Sequence, residues 1–223
     1  MKKHAIVTDR PRTPQADPDA RAPRPLLGAA FEGAAASSVQ LPDDGVAEIA
    51  FAGRSNSGKS SAINALARHR GLAFASRTPG RTQQLNFFRL RSGARVVDLP
   101  GYGYAAVSKD LRREWQTFLW EYVTTRSTLV GLVLIVDARH GIKASDGQLL
   151  AGFAPSARPV LVLATKADKL NVAERRAAAA QIRDAVSEMR IAGRFDVVAF
   201  SATARMGLAE ADAVLQSWLP DVE

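Results

Sequence analysis

The chain contains no cysteine, and its three histidines, His4, His69 and His140, are far apart in the sequence. The lack of cysteine excludes disulfide bonds and thiolate metal sites, and scattered histidines differ from the closely spaced ligands of zinc sites. No apolar run approaches the ~18 residues that a membrane-spanning helix needs. The N-terminus also lacks the apolar stretch of a signal peptide. We therefore expect a cytoplasmic protein without a transmembrane segment.

Acidic residues are fewer than basic ones, so that the formal net charge is +8 and the sequence pI is near 10.3. A basic surface attracts polyanions, and RNA and anionic membranes are the leading candidates. The charge does not choose between them, and an excess of arginine that only keeps the protein soluble is the alternative. We expect no sequence-specific DNA binding.

Residues 1–25 contain almost no large apolar side chains and several prolines: Pro11, Pro14, Pro18, Pro23 and Pro25. Such a segment cannot bury enough surface to offset its conformational entropy, which predicts a disordered, basic and proline-rich tail. With 223 residues and 47% hydrophobic composition, the chain is long enough for one substantial core. We expect a single domain over residues 26–223 and a monomer.

Apolar strands alternate with helical patterns after residue 25. Leu111, Trp115, Phe118, Leu119 and Tyr122 recur at threes and fours, which predicts an amphipathic helix over 108–126 with Ser108 as its N-cap. Residues 85–90 and 95–99 flank Ser92-Gly93, which predicts a β-hairpin. Other predicted helices cover 59–68, 145–153, 172–189 and 208–218, and other predicted strands cover 48–52, 129–136, 159–164 and 195–200. This alternation predicts a three-layer α/β fold whose mostly parallel sheet has one antiparallel edge strand, supplied by the hairpin.

The first motif, Gly53-Arg54-Ser55-Asn56-Ser57-Gly58-Lys59-Ser60, matches the phosphate-binding pattern Gly-x-x-x-x-Gly-Lys-Ser. A predicted strand precedes it and a predicted helix follows it, as in a P-loop. Its glycines allow a tight loop whose N–H groups point inward, and the helix N-terminus favours an anion. We expect Lys59 to contact the β- and γ-phosphates, the Ser60 hydroxyl to ligate Mg²⁺ and Ser61 to donate to the α-phosphate.

The second motif, Asp98-Leu99-Pro100-Gly101, ends a predicted strand about forty residues later. A carboxylate at this place can hold Mg²⁺ through a water, and the Gly101 N–H can meet the γ-phosphate. Alone, the same four residues form an ordinary turn. Between the two motifs, the loop over 77–83 offers Thr78 and Thr82 as threonines that could close over Mg²⁺.

The third motif, Thr165-Lys166-Ala167-Asp168, follows a predicted strand and indicates the base. A carboxylate accepts hydrogen bonds from N1–H and the 2-amino group of guanine, whereas adenine would leave it unpaired, which is costly. The Lys166 stem can lie over the base plane. Ser201-Ala202-Thr203, after the last predicted strand, can offer a backbone N–H to guanine O6.

Together the motifs resemble those of the bacterial EngB (YihA/YsxC) GTPases, within the class that also contains TrmE, Era, EngA and the septins. The resemblance rests on Gly-Arg-Ser-Asn-Ser-Gly-Lys-Ser, Thr-Pro-Gly-Arg-Thr-Gln, Asp-Leu-Pro-Gly-Tyr-Gly-Tyr and Thr-Lys-Ala-Asp, and covers about residue 26 to the C-terminus. It implies a Ras-like P-loop GTPase domain that binds GTP, GDP and Mg²⁺. It also implies a role in assembling the large ribosomal subunit and a requirement for normal cell division and septation.

The motifs and the resemblance together assign three groups of residues. The resemblance selects Thr82 over Thr78 as the Mg²⁺-sensing threonine, so that the expected metal ligands are Ser60, Thr82 and, through water, Asp98. The residues expected to act in hydrolysis are Lys59, Thr82, Gly101 and Asn56. The expected nucleotide contacts are Gly53, Arg54, Ser55, Asn56, Ser57, Gly58, Lys59, Ser60, Ser61, Gly80, Arg81, Thr82, Gln83, Gln84, Asp98, Leu99, Pro100, Gly101, Thr165, Lys166, Ala167, Asp168, Phe200, Ser201 and Ala202.

Three positions bear on the mechanism. Many GTPases place a glutamine after Asp-x-x-Gly to orient the attacking water, but this chain has Tyr102, which predicts slow intrinsic hydrolysis. Asn56 matches the P-loop asparagine that binds K⁺ in some relatives, which makes K⁺ a candidate cofactor; a purely loop-stabilising asparagine is the alternative. Thr165 stands where most GTPases have asparagine, so that support of the loop by this residue is in question.

The leading hypothesis is a switch that binds ribosomal RNA or protein of the large subunit in its GTP state. Basic and aromatic side chains lie on or near the predicted switch loops and would suit an RNA surface: Arg77, Arg81, Arg89, Arg91, Arg95, Lys109, Arg112, Arg113, Phe87, Phe88, Tyr102 and Tyr104. A second hypothesis is a GTP-binding module of the division apparatus that does not contact RNA. A metabolic kinase is a third, but it would leave Asp168 without a role.

Overall fold

The computed structural model describes residues 23–74, 84–102, 109–189 and 191–219, with the backbone alone for 109–116. Seven strands and five α-helices alternate along these residues in the order β1 (Ala30–Ala35), β2 (Glu48–Gly53), α1 (Lys59–Ala67), β3 (Leu85–Arg89), β4 (Arg95–Asp98), α2 (Lys109–Thr125), β5 (Leu129–Asp137), α3 (Ala144–Phe153), β6 (Val160–Thr165), α4 (Val172–Glu188), β7 (Phe195–Ala199) and α5 (Leu208–Gln216). The predicted α/β class is confirmed, and the predicted elements begin and end within a few residues of the observed ones. Ser108, the predicted N-cap, lies outside the described residues.

The strands form one sheet in the order β1-β3-β4-β2-β5-β6-β7. Neighbours from β4 to β7 run parallel, whereas β3 runs antiparallel to both β4 and β1. The predicted hairpin is therefore present as β3 and β4. β3 is not the edge strand, however, because β1 pairs with its other side and forms the edge of the sheet. β1 has the sequence Ala-Phe-Glu-Gly-Ala-Ala, whose small residues have low strand propensity, so that the sequence pattern did not predict it.

The two faces of the sheet are covered by different helices. Successive side chains of a strand point to opposite faces, and in β2 Ile49 and Phe51 pack with residues of α1 and α5. Ala50 and Ala52 face the other way, toward residues of α2, α3 and α4. The central parallel strands β2, β5 and β6 are buried on both sides, as their apolar sequences indicate, whereas the edge strand β7 is only half-buried.

The carboxyl ends of four neighbouring strands meet at one edge of the sheet. Phe51 pairs with Asp98 across β2 and β4, Gly53 pairs with Ile135 across β2 and β5, and Asp137 pairs with Thr165 across β5 and β6. In doubly wound sheets, ligands bind outside this edge. The register thus places all the predicted motifs that the structure describes on the same side of the molecule.

Leu26 is fully buried, so that the packed domain extends at least to this residue on its N-terminal side. Residues 1–22 lie outside the described part of the chain, and the predicted tail over 1–25 stays a prediction. Among the described residues, we find no helix that combines the length and the apolar character needed to cross a membrane.

Candidate nucleotide-binding site

The loop between β2 and α1 has the backbone that a phosphate-binding loop requires. A Cβ on Gly53 would lie 2.7 Å from Ser57 Oγ and 2.8 Å from the Ile135 carbonyl oxygen, so that only glycine fits there. Gly58 has φ 100° and Asn56 has φ 64°, both in the left-handed region. α1 begins at Lys59, directly after the loop, and therefore directs its first N–H groups toward the loop interior.

Lys59 and Asp98 contact each other directly. The Lys59 ammonium donates to Asp98 Oδ1, and both side chains are nearly buried. Burial raises the pKa of the Asp98 carboxyl, and the Lys59 charge opposes this rise. The residue expected to bind phosphate and the residue expected to bind Mg²⁺ through water thus lie together.

The donor set at this place suits Mg²⁺. Asp98 offers a buried carboxylate and Ser60 a hydroxyl on the first turn of α1, and Mg²⁺ prefers oxygen ligands, most of them waters and phosphates. No cluster of three or more His, Cys, Asp or Glu side chains occurs in the described ranges. These residues would therefore hold Mg²⁺ together with a bound phosphate rather than alone.

The segment from Asp98 to Tyr102 runs beside the P-loop. The Leu99 N–H donates to the Phe51 carbonyl at 2.9 Å, and a Cβ on Gly101 would lie 3.0–3.1 Å from three Ser55 atoms. Leu99 is buried and Pro100 half-buried. Gly101 lies this close to the P-loop because it has no side chain, and its contact with the γ-phosphate stays a prediction.

Thr165 supports the P-loop in place of asparagine. Its buried hydroxyl lies 2.5 Å from the Ser57 carbonyl oxygen and 3.0 Å from the Val136 carbonyl oxygen. This bifurcated contact joins the phosphate-binding loop to β5 and β6. The question that the sequence raised about this position is thereby answered, because threonine supplies the contact.

Lys166 reaches from the base motif to the P-loop. Its Nζ donates to the Asn56 carbonyl oxygen at 2.7 Å and lies 2.9 Å from Asp137 Oδ2. Asp137 also accepts from the Arg139 guanidinium at 2.9 and 2.7 Å. Burial opposes ionisation of Asp137, but the hydrogen bonds from Arg139 and Lys166 outweigh it and hold the pKa of Asp137 well below its usual value.

Sequence reasoning missed Asp137 and Arg139. Asp137 is the last residue of β5, and this strand lies between the P-loop strand and the base-motif strand. A carboxylate at the end of a buried strand beside a P-loop was a usable signal, because such strand ends form the ligand-binding edge.

Asp168 is held by the loop that follows β7. The Ser201 hydroxyl donates to Asp168 Oδ1 at 2.7 Å, and this hydrogen bond is the main cause that lowers the pKa of Asp168. Ser201 Oγ in turn accepts from the Ala204 N–H at 3.1 Å. In the base motif, the Ala167 N–H donates to the carbonyl of Phe200, a fully buried residue. Ala202, in the loop that follows β7, is half-buried. The two predicted base motifs are therefore in direct contact with each other.

A cleft of about 400 Å³ lies beside the P-loop on the side of α3. The P-loop, the end of β5 and the residues directly after β5 line this cleft. Arg54, His140, Asp146 and Lys166 are among the lining residues. The cleft thus borders the phosphate-binding loop and reaches the lysine of the base motif.

Several predicted site residues are not tested by this geometry. Gly80, Arg81, Thr82, Gln83 and the alternative Thr78 lie outside the described residues. Gln84 is exposed and directly precedes β3, and Ser61 is exposed on the first turn of α1. Their roles stay predictions.

The predicted RNA surface is in part wrong. Phe87 and Phe88 are each only 2% exposed, so that neither can stack on a base. Arg95 is buried and donates to Glu32 at 2.7 Å and to Asp44 at 2.6 Å, while Arg89 pairs with Glu32. Both charges are paired because β1 and the segment after it bring two carboxylates to this end of the sheet; the Arg95 side chain is buried, whereas that of Arg89 is partly exposed.

Known proteins are similar to this chain in sequence. The sequence model of the family described as "50S ribosome-binding GTPase" matches residues 48–166. The chain is 50% identical over 191 residues to a probable GTP-binding protein EngB of Aromatoleum aromaticum, covering 86% of this chain and 88% of that protein. A probable EngB of an Azoarcus species is 49% identical over the same length, 86% of this chain and 91% of that protein.

Solved structures show the same fold at lower identity. A crystal structure of a probable GTP-binding protein EngB superposes with a TM-score of 0.58 at 22% identity, over 77% of this chain and 98% of that one. Era in complex with MgGDPNP and nucleotides of 16S ribosomal RNA superposes with a TM-score of 0.60 at 21% identity, over 80% of this chain and 58% of that one. Because the sequence relatives are half identical over most of both chains, this protein belongs to the EngB family of GTP-binding proteins.

Proposed function

We propose that this protein is a Mg²⁺-dependent GTPase switch that acts in the assembly of the large ribosomal subunit, as a monomer in the cytoplasm. The observation that carries the proposal is the meeting of Lys59, Asp98 and Asp168 at one sheet edge, where phosphate, metal and guanine contacts are all available. The net charge of +8 and the family description support a ribosomal partner. The resemblance to EngB also supports a requirement for normal division and septation.

Co-sedimentation tests the switch. We expect the full chain to pellet with purified large subunits in a non-hydrolysable GTP analogue and not in GDP, with binding that weakens as salt increases. Equal binding in both nucleotides at every salt concentration would contradict a nucleotide-controlled switch. Crosslinking of the GTP-bound protein to cellular RNA, followed by sequencing, would then locate the contact.

Slow intrinsic hydrolysis is the second part of the proposal. The Tyr102 hydroxyl donates to Asp146 Oδ1 at 2.7 Å, which directs the side chain to α3. A glutamine that orients the attacking water is therefore missing, and a partner or an ion must complete the site. We expect single-turnover hydrolysis to accelerate when large subunits are added, whereas an unchanged rate at saturating subunits would count against this part.

Asn56 is the candidate ligand of such an ion. Asn56 is an exposed residue of the P-loop, and its backbone carbonyl accepts a hydrogen bond from Lys166. A K⁺ held by the amide oxygen would add positive charge near the β- and γ-phosphates. We expect faster turnover in K⁺ than in Na⁺ and loss of this difference in Asn56→Ala; equal rates in both salts for the unmutated protein would exclude the role.

A second candidate function is a GTP-binding module of the division apparatus that does not contact RNA. The neutralised Arg89 and Arg95 and the buried Phe87 and Phe88 favour it, because they remove part of the predicted RNA surface. The crosslinking experiment separates the two candidates, since this second function predicts no RNA crosslinks above those of a GDP-bound control.

A further inference from the structure

Tyr102 is anchored to the P-loop through its backbone. Its N–H donates to the Gly53 carbonyl at 3.3 Å, and its carbonyl accepts from the Ser55 N–H at 3.0 Å. These two hydrogen bonds form a parallel bridge between Arg54 and Tyr102. Since Gly101 directly precedes Tyr102, the bridge holds the glycine against the loop.

The Tyr102 side chain adds an anchor on α3. Its hydroxyl donates to Oδ1 of Asp146, a carboxylate that is only 2% exposed. Asp146 Oδ2 accepts from the Lys143 N–H at 2.9 Å, directly before α3 begins. One buried carboxylate therefore fixes both the residue after Asp-x-x-Gly and the N-terminus of α3.

The phenol is held in its donating form. Burial is the largest cause that raises the pKa of Tyr102, and the adjacent Asp146 raises it further. The hydroxyl consequently stays protonated over the physiological range. The hydrogen bond to a charged acceptor is of the stronger kind.

The placement of Gly101 is what these anchors control. A glycine N–H that is to meet a γ-phosphate must lie close to the P-loop, and here a Cβ on Gly101 would already lie 3.0–3.1 Å from Ser55. We infer that Tyr102 is a positioning residue for γ-phosphate recognition: its hydroxyl, fixed by Asp146, holds Gly101 at the P-loop. This inference rests on the proposed function only in requiring that GTP and GDP are bound differently.

The alternative is a tyrosine that only stabilises the fold. Tyr102 also packs against the core beneath α2 and α3, so that its loss would destabilise the protein in either case. The two roles differ in one readout. Loss of a positioning contact weakens binding of a GTP analogue more than binding of GDP, whereas general destabilisation affects both alike.

The experiment compares Tyr102→Phe with Tyr122→Phe in the full chain. The Tyr122 hydroxyl also donates to a buried carboxylate, Glu48 Oε2, at 2.9 Å, but in the α2 helix and not after the phosphate motif. In Tyr102→Phe we expect affinity for a non-hydrolysable GTP analogue to fall about fivefold relative to GDP. In Tyr122→Phe we expect a comparable loss of thermal stability and an unchanged ratio of the two affinities.

Asp146→Asn provides an independent check. The Tyr102 hydroxyl and the Lys143 N–H donate to different oxygens of Asp146, and in asparagine one of these oxygens is replaced by an NH₂ group that cannot accept. We expect the same direction of change as in Tyr102→Phe, and a double variant that loses less than the sum of both. An unchanged ratio in Tyr102→Phe, or additive losses, would overturn the inference. These affinities are measured without ribosomes, so that a failure of subunit binding would affect the proposed function alone.

Discussion

The proposed guanine-binding half and the proposed phosphate-binding half of the site are held together in different ways. On the base side, Asp168 is fixed by Ser201, Lys166 by Asp137 and the Asn56 carbonyl, and Thr165 by two carbonyls. On the phosphate side, Lys59 and Asp98 contact each other. Each base-side side chain thus has a protein partner that it can keep when guanine binds. Lys59 and Asp98, in contrast, must give up their mutual contact to bind phosphate and Mg²⁺.

This difference means that the free-energy cost of rearranging the protein on nucleotide binding falls mainly on the phosphate side. A preorganised group loses little entropy when the ligand arrives, and Asp168 keeps free acceptor positions because a carboxylate offers about four lone-pair sites. The Lys59–Asp98 pair is nearly buried, so that separating it without compensation would leave two uncompensated charges. We therefore expect guanine to be recognised by a nearly fixed surface, and the phosphates, with Mg²⁺, to rearrange their own side of the site.

Asp168→Asn is expected to break the base side most strongly. The amide cannot accept from both N1–H and the 2-amino group of guanine, so that affinity for GTP and GDP should fall about a thousandfold. The same amide can donate to the 2-carbonyl oxygen of xanthine, and affinity for XTP should rise. Fluorescent-nucleotide titration measures both changes. Asp184→Asn, an exposed aspartate on α4, serves as the control; an unaltered GTP affinity in Asp168→Asn would refute the assignment.

Lys59→Ala tests the phosphate side. It removes a charge-assisted contact to phosphate and leaves buried Asp98 without its partner, so that affinity for GTP and GDP should both fall about a hundredfold. The preference for guanine over adenine nucleotides should persist, because the base side is fixed independently. Lys143→Ala removes an exposed lysine and should bind normally. A loss of base preference in Lys59→Ala would show that the halves are not separable.

Thr165→Val tests the contact that joins the two halves. The substitution removes the hydroxyl with little change of shape and leaves the Ser57 carbonyl without this donor. We expect the free energy of unfolding to fall by about 1–2 kcal/mol and affinity for both nucleotides to fall about tenfold. The control Thr125→Val removes an exposed hydroxyl that donates to the Glu121 carbonyl at 2.8 Å. Similar effects in both variants would deny Thr165 a special role.

The motifs and most elements could be predicted because they depend on local sequence. Helical spacing, apolar strands and the Gly-Lys-Ser pattern each lie within a short segment, and the order of motifs assigned Asp168 and Ser201 to the same base site. Side-chain pairs distant in the chain could not be predicted. Tyr102 and Asp146 are 44 residues apart, and Arg95 is 63 residues from Glu32. A basic residue therefore looked available for RNA although the fold neutralises it.

Asp137→Asn tests how firmly the base side is preorganised, and it has the smallest expected effect on nucleotide affinity. It weakens the contact that fixes the Lys166 ammonium, so that affinity for GTP and GDP should fall equally, about threefold. Asp196→Asn is a matched control, because Asp196 also pairs with an arginine two residues away, Arg194 at 3.1 Å.

The pH dependence distinguishes this carboxylate contact from a loss of packing. Because the pKa of Asp137 is lowered on folding, its contribution to stability is complete above the ordinary value of 3.8 and is lost as the pH falls through the lowered value. The stability difference between the unmutated protein and Asp137→Asn should thus be constant from about pH 5 to 8 and shrink in stronger acid, in chemical unfolding series at each pH. A difference that persists unchanged down to pH 2 would assign the effect to packing, and Lys166 would then be fixed by the Asn56 carbonyl alone.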